Sequence, residues 1–400
     1  MIAASPTGNY NDYSSGGKMN LNGTWNYPTQ MRFGAGRIAE LPDACRELGM
    51  ARPLLVTDSG LAEVNFVREA LAVVNSAGLP TVMFSNVRGN PTDENVIEGL
   101  QVYREGGHDG VIALGGGSGI DAAKTIAMMA GQTGDLWDYL DRTKIDRAAM
   151  APVVALPTTA GTGSEVGRAA IITETAVKTK RIVGHPAMLP GIVISDPNLT
   201  AGLPPGLTAA TGIDALVHCL EAYCASSYHP QADGIALEGM RLIHDYLPRA
   251  FADGGDIEAR AQMLAAASMG AIAFQKGLGG VHAISHAVGA RYDTHHGLTN
   301  AVVAPYILRL NRPVIEDKMV HLARVLGLDD IGFEAVMNWL LALRRDLKIP
   351  HSLGEIGVPE GEADEIAALA AGDPTAASNP VPLDAAVLKP IFLDCVHGRL

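Results

Sequence analysis

The chain predicts an α/β N-terminal domain with a parallel sheet followed by an all-α C-terminal domain, and three observations predict it. Between residues 28 and 200, short β-branched runs alternate with helical segments, the order that builds parallel strands. Beyond Pro205 the strand signal gives way to long Ala- and Leu-rich stretches punctuated by Gly and Pro. Residues 1–18 are polar and rich in Ser, Gly and Asn, without the charged-then-apolar order of a signal peptide. The expected organisation is a flexible tail over 1–27, an α/β domain over 28–200 and a helical domain over 201–400.

Each element follows from its local pattern. Residues 52–58 read as a strand ending at Asp58, 61–77 as a helix and 81–84 as a second strand. A helix is expected over 95–106, a strand over 110–114 that runs into glycines, and a helix over 120–130. Residues 152–156 and 191–195 are two further short, β-branched strands. Pro204 and Pro205 stop the preceding segment, and from 207 to about 224 Ala, Leu and Ile recur at helical spacing. Residues 261–274 are apolar but interrupted, and too short for a membrane span of about 20 residues, so they read as buried helix. An Ala-rich loop is expected around 374–382.

With 400 residues and 48% apolar content the chain can bury a large core, which suits two domains. A net charge of -13 supplies no basic stripe for nucleic acid, so no nucleic-acid partner is expected, and an anionic cofactor must be held by local features. Four cysteines without a C-x-x-C pair argue against a disulfide framework and for a reducing, cytoplasmic location. Cys45, Cys219, Cys224 and Cys395 read as small buried hydrophobes.

The chemistry is concentrated in the histidines. Four of the twelve, His282, His286, His295 and His296, fall within fifteen residues, and upstream Asp214 and His218 are four apart. On a helix that spacing stacks a carboxylate and an imidazole on one face, where both reach a single ion. Asp214, His218, His282 and His296 together would supply one oxygen and three nitrogens, a set that suits divalent zinc or iron and leaves room for a substrate oxygen.

Leu114-Gly115-Gly116-Gly117-Ser118-Gly119 carries a strand into a helix, with Ser118 as an expected cap. Such a turn presents backbone N–H groups to a pyrophosphate. It is neither G-x-G-x-x-G, since Ile120 stands at the third glycine, nor a Walker loop, so by itself a structural turn is an equal reading. Asp121 and Lys124 likewise read either as a helical charge pair or as ligand contacts.

The segments Gly212-Ile-Asp214-Ala-Leu-Val-His218-Cys-Leu-Glu-Ala-Tyr223, Gly277-Leu-Gly-Gly-Val-His282-Ala-Ile-Ser-His286 and His296-Gly297 resemble the two signatures of the iron-containing, or group III, alcohol dehydrogenases. The resemblance covers nearly the whole chain from about Pro28. It implies a dinucleotide-binding N-terminal domain and a metal-binding C-terminal domain, with Asp214, His218, His282 and His296 as ligands of Fe2+, or of Zn2+ or another divalent ion. His286 would lie near the nicotinamide without ligating, as a proton relay, and His295 would match no ligand position. Gly115, Gly116, Gly117, Ser118 and Asp121 would form the phosphate loop. Thr158, Thr159 and Thr162 would form a second cofactor segment, and Asn90 and Lys180 would line the cleft. Asp58 would accept hydrogen bonds from the adenosine ribose and repel a 2′-phosphate, favouring NAD over NADP. A turn role beside Ser59-Gly60 is the alternative. Gly167 departs from the pattern, since relatives commonly carry a polar residue there.

The resemblance implies an NAD-dependent dehydrogenase of small primary alcohols and aldehydes, expected as a homodimer or higher homo-oligomer. Within the class, a 4-hydroxybutyrate dehydrogenase is the alternative, because residues 273–279 resemble some of those enzymes and Lys276, Arg168 or Arg291 could pair with a substrate carboxylate. A lyase similar to dehydroquinate synthase is the rival from another reaction class.

Overall fold

The computed structural model describes residues 29–400 together with the backbone of 23–25. The tail expected over 1–27 lies outside the described residues apart from that short strand.

Among the described residues nine strands belong to the first half: β1 (Gly23–Trp25), β2 (Gln30–Phe33), β3 (Pro53–Asp58), β4 (Val82–Val87), β5 (Gly110–Gly115), β6 (Val153–Pro157), β7 (Ala169–Glu174), β8 (Thr179–Gly184) and β9 (Ile192–Ser195). Seven of them make one sheet in the order β1-β2-β9-β6-β5-β3-β4, parallel except for β1. Four helices accompany them: α1 (Leu41–Glu47), α2 (Asn65–Ser76), α3 (Asp93–Glu105) and α4 (Gly117–Met129). Because successive residues point to opposite faces, Leu54, Val56, Val111, Ala113, Val153 and Ala155 pack with α3 and α4. Leu55, Ile112, Leu114, Val154, Leu156 and Ile194 pack with α1 and α2 on the other face. Burial on both faces is why these strands read as unbroken apolar runs. Each buried Val, Leu or Ile among them contributes about 1.5–3 kcal/mol.

Three local readings change. α4 begins at Gly117, with Gly116 as its N-cap, so Ser118 lies inside the first turn and its hydroxyl donates to the Gly89 carbonyl instead of capping. α2 begins at Asn65, because Leu61 and Val64 are taken up in turns. The β7–β8 hairpin had no sequence signal: its strands are half-exposed, and its turn places Lys178 at φ 50, where glycine or asparagine is the usual marker.

The second half is helical: α5 (Pro205–Cys224), α6 (Pro230–Ala252), α7 (Ile257–Ala273), α8 (Gly280–Tyr292), α9 (His296–Val325), α10 (Phe333–Asp346), α11 (Ala363–Ala371) and α12 (Ala385–His397). No strand follows Ser195 among the described residues. Within the expected loop at 374–382, Pro374–Ser378 is a 3-10 helix. The halves meet where Glu165 accepts from Ser268 of α7 at 2.9 Å, beneath the cleft between sheet and helices. All four cysteines are buried and free. No helix among the described residues is long and apolar enough to cross a membrane.

Candidate metal centre and cofactor cleft

Asp214 and His218 lie one turn apart on α5, His282 lies on α8, and His296 is the first residue of α9. Each offers a ligand atom, and the four atoms lie within 4.8 Å of one another. Close approach of α9 to α5 depends on Gly297, since a Cβ there would run into the Ala210 carbonyl.

Hydrogen bonds aim these rings. His282 Nδ1 meets Glu221 Oε2 at 2.6 Å, and Glu221 also accepts from the backbone of Gly279 and Val281 at 3.0 and 2.7 Å. With its proton committed to Glu221, His282 presents the Nε2 lone pair to the centre. His296 Nδ1 faces Ser285 Oγ at 3.1 Å, which leaves its Nε2 inward as well. Burial pushes the His218 imidazole down to about 4. Burial, aided by Lys180, holds His296 well below its ordinary range. Both are therefore neutral, the form that ligates a metal. At His282 burial opposes charge, but the Glu221 carboxylate outweighs it and raises the imidazole.

The donor set fits a divalent cation. Asn300 Nδ2 donates to Asp214 Oδ1 at 2.7 Å and also lies 3.3 Å from His282 Nε2 and 3.2 Å from His296 Nε2. Two amide hydrogens face three lone-pair acceptors, so at least one acceptor goes short. Buried Asn300 Oδ1 has no hydrogen-bond partner among the described residues. A converging excess of acceptors is what an ion of positive charge satisfies.

One turn after His282, His286 Nδ1 meets Asp373 Oδ2 at 2.9 Å, while its Nε2 is buried without a partner on the cavity wall. Asp373 also accepts from Thr375 N at 2.8 Å. Burial resists its charge, but His286 and Thr375 outweigh that and lower its carboxyl. Sequence reasoning missed Asp373, which lies 87 residues from its partner. The only available signal was Asp-Pro-Thr at a helix start, a generic cap. His295 Nδ1 accepts from Leu298 N at 3.3 Å and so caps α9, a local role.

A cavity of about 600 Å³ runs from these histidines to the glycine loop; Asn90, Gly117, Ser118, Asp121, Thr162 and Lys180 line it together with His218, His282, His286 and His296. Gly115, Gly116, Thr158, Thr159 and Asp58 stand behind that wall. Thr158 N donates to Gly115 O at 2.9 Å, and the Thr159 and Thr162 side chains fill the space that Cβ atoms on Gly116 and Gly117 would need. Asp58 lies at the end of β3 under the loop, and burial raises its carboxyl. Asp121 holds Lys124 Nζ at 3.2 Å and accepts from Ile171 N at 2.8 Å, so its carboxylate is committed within the protein. Lys180 donates to Asn90 at 2.9 Å, and burial pushes its ammonium down to about 8.

Two of the three cations considered for a substrate carboxylate are engaged elsewhere. Lys276 bonds Asp233 at 2.5 Å and the Tyr223 carbonyl at 3.1 Å, outside the cavity wall. Arg291 pairs with Glu362 at 3.2 Å and with Glu365. Arg168 does line the cavity, joined by Arg142 and His185, which the sequence did not single out.

Residues 28–197 match the family profile described as iron-containing alcohol dehydrogenase, and residues 208–395 match that of the Fe-containing alcohol dehydrogenase family, C-terminal. A 4-hydroxybutyrate dehydrogenase of Cupriavidus necator is 40% identical over 376 residues, covering 90% of this chain and 96% of the relative. An NAD-dependent methanol dehydrogenase of Bacillus methanolicus is 37% identical, covering 88% of this chain and 94% of its own length. The crystal structure of a 1,3-propanediol oxidoreductase superposes with a TM-score of 0.87 at 35% identity, covering 91% of this chain and 97% of that one.

Proposed function

The chain belongs to the iron-containing alcohol dehydrogenase family, and from that premise we propose an NAD-dependent enzyme that interconverts small primary alcohols and aldehydes at a divalent metal held by Asp214, His218, His282 and His296. One observation carries the reading: the three histidines of the four-residue cluster and a glycine loop at a helix N-terminus line the same cavity.

When bound, a divalent ion supplies Lewis acidity at the alcohol or carbonyl oxygen, and a nicotinamide dinucleotide supplies the hydride acceptor or donor. The chain's own residues do the rest. The amides of Gly117 and Ser118, in the first turn of α4, suit a pyrophosphate. Glu221 fixes the His282 tautomer, as Asp373 fixes that of His286. With Nδ1–H donated to Asp373, the unpartnered Nε2 of His286 can take a proton from the substrate side and return it. The buried cysteines suit a reducing compartment.

The test is a screen of alcohols, diols, hydroxy acids and their aldehydes with NAD and NADP, on protein reconstituted separately with iron and zinc. Stoichiometric NADH formation with an alcohol, faster with NAD than with NADP, is the expected result. A product formed while NAD returns unchanged would instead favour the lyase chemistry.

A further inference from the structure

Lys180 is the sole lysine among the described residues that line the cavity, where it stands with His218, His282, His286 and His296. It reaches that wall from β8, opposite Thr173 in the hairpin register. Its Nζ lies against α8 at Gly289, since a Cβ there would stand 3.0 Å from the nitrogen. Gly289 follows His286 by three residues, and residues so spaced share a helix face, about 5–6 Å apart. The amine is thereby placed one helical turn from the proton-carrying imidazole of the cavity wall.

Among the described residues no carboxylate pairs with this ammonium, and its one hydrogen bond goes to Asn90 Oδ1 at 2.9 Å. The charged and titratable groups that face it come from four helices: Asp121 from α4, Asp214 from α5, His286 and Asp293 from α8 and its C-cap, and His295 and His296 from the start of α9. The three acids are engaged elsewhere: Asp121 with Lys124, Ser164 and the Ile171 amide, Asp214 with Asn300, and Asp293 with Asn90. Burial outweighs their pull and lowers the ammonium to about 8. A buried cation without an ion pair is costly to keep charged, and the primary amine left on losing its proton is a nucleophile toward carbonyl carbon.

Resting on the alcohol–aldehyde reading only for the identity of the reagent, we propose that Lys180 is a covalent capture site for the aldehyde, held as a reversible imine when no NADH is present to reduce it. The amine lone pair attacks the carbonyl carbon and forms a C–N bond, while the C=O π pair moves to oxygen. A proton passes from nitrogen to that oxygen to give a carbinolamine. Its C–O bond then breaks, water leaves and the C=N bond forms, with no net oxidation or reduction. The unpartnered Nε2 of His286, one turn away on α8, is placed to carry the proton. Addition of water returns aldehyde and amine, so aldehyde that accumulates without NADH closes the cavity until it is withdrawn.

The experiment incubates the metal-reconstituted enzyme, without dinucleotide, with butanal and sodium cyanoborohydride, which reduces an imine to a stable secondary amine. Butylated lysines are then mapped by mass spectrometry after digestion. An amine titrating near 8 holds about 200 times as much free base at pH 7 as one titrating near 10.4. With burial slowing access, Lys180 should still be labelled at least about tenfold faster than the exposed Lys144, Lys178 and Lys348. That ratio should stay level up to about pH 8 and fall above it, once Lys180 is wholly free base. Lys180→Arg keeps a cation but cannot form an imine, so the fast label should vanish. Should that variant fail to fold, the site-resolved map of the unaltered protein decides alone. Labelling of Lys180 no faster than of Lys144 would overturn the capture site. NADH oxidation by butanal is read on parallel samples: oxidation without capture would defeat this inference alone, whereas capture without oxidation would uphold it and bring down the activity reading.

Discussion

Two histidine–carboxylate pairs lie one turn apart on α8 and differ in what their free nitrogens meet. His282 is oriented by Glu221, and its Nε2 converges with three other ligand residues; His286 is oriented by Asp373, and its Nε2 faces the cavity without a partner. The same orienting device thus serves two roles, and the surroundings decide which. Glu221 comes from α5, three residues after the ligand His218, whereas Asp373 comes from a 3-10 helix start beyond α11. The first pair joins α5 to α8 beside the four-residue cluster; the second is mounted on the cavity wall.

The comparison breaks most decisively at Asp214. Asp214→Ala removes the sole anionic ligand, so metal content by elemental analysis should fall to near zero, with affinity reduced by more than about 100-fold and thermal stability lowered. Retained metal at one ion per chain would contradict the ligand set. His286→Ala should leave metal content intact while turnover falls by about 10²–10⁴, the usual contribution of a proton-transferring group. Metal loss in that variant would make His286 a ligand and erase the distinction.

The orienting carboxylates sharpen it further. Glu221→Gln should weaken metal binding by about 10–100-fold in a chelator competition. Asp373→Asn should instead keep metal affinity and lower kcat by a similar factor, so equal effects of both variants on affinity would dissolve the contrast. A smaller effect concerns pH. The Lys180 ammonium is lowered to about 8 in the folded protein from an ordinary 10.5. Between those values the unfolded chain binds the additional proton, so this group's contribution makes stability rise with pH across that window and stay constant below it. Melting curves from pH 8 to 10.5 should show a shallower rise in Lys180→Met, and an unchanged slope would place the titration elsewhere.

Much of this was legible in the sequence because it is local. The i, i+4 spacing of Asp214 and His218 needs only a helix, and the glycine loop needs only a strand before it and a helix after it. Burial on both faces made β3, β5 and β6 readable as apolar runs. What escaped is what folding alone brings together. The Asp373 carboxylate and the Asn300 amide each have ordinary local explanations, as a cap and a helical polar residue. The β7–β8 hairpin escaped for another reason. Its half-exposed strands lack strong alternation, and Lys178 takes the left-handed turn position without a glycine to announce it.

The central claim is that the four-residue centre activates the substrate oxygen. Its most direct test is a metal titration of chelator-stripped protein, with bound ion and NADH formation from an alcohol measured on the same samples. Activity should be absent without metal, rise in proportion to bound ion and level off at about one ion per chain. Full activity in protein verified to be metal-free would contradict the account.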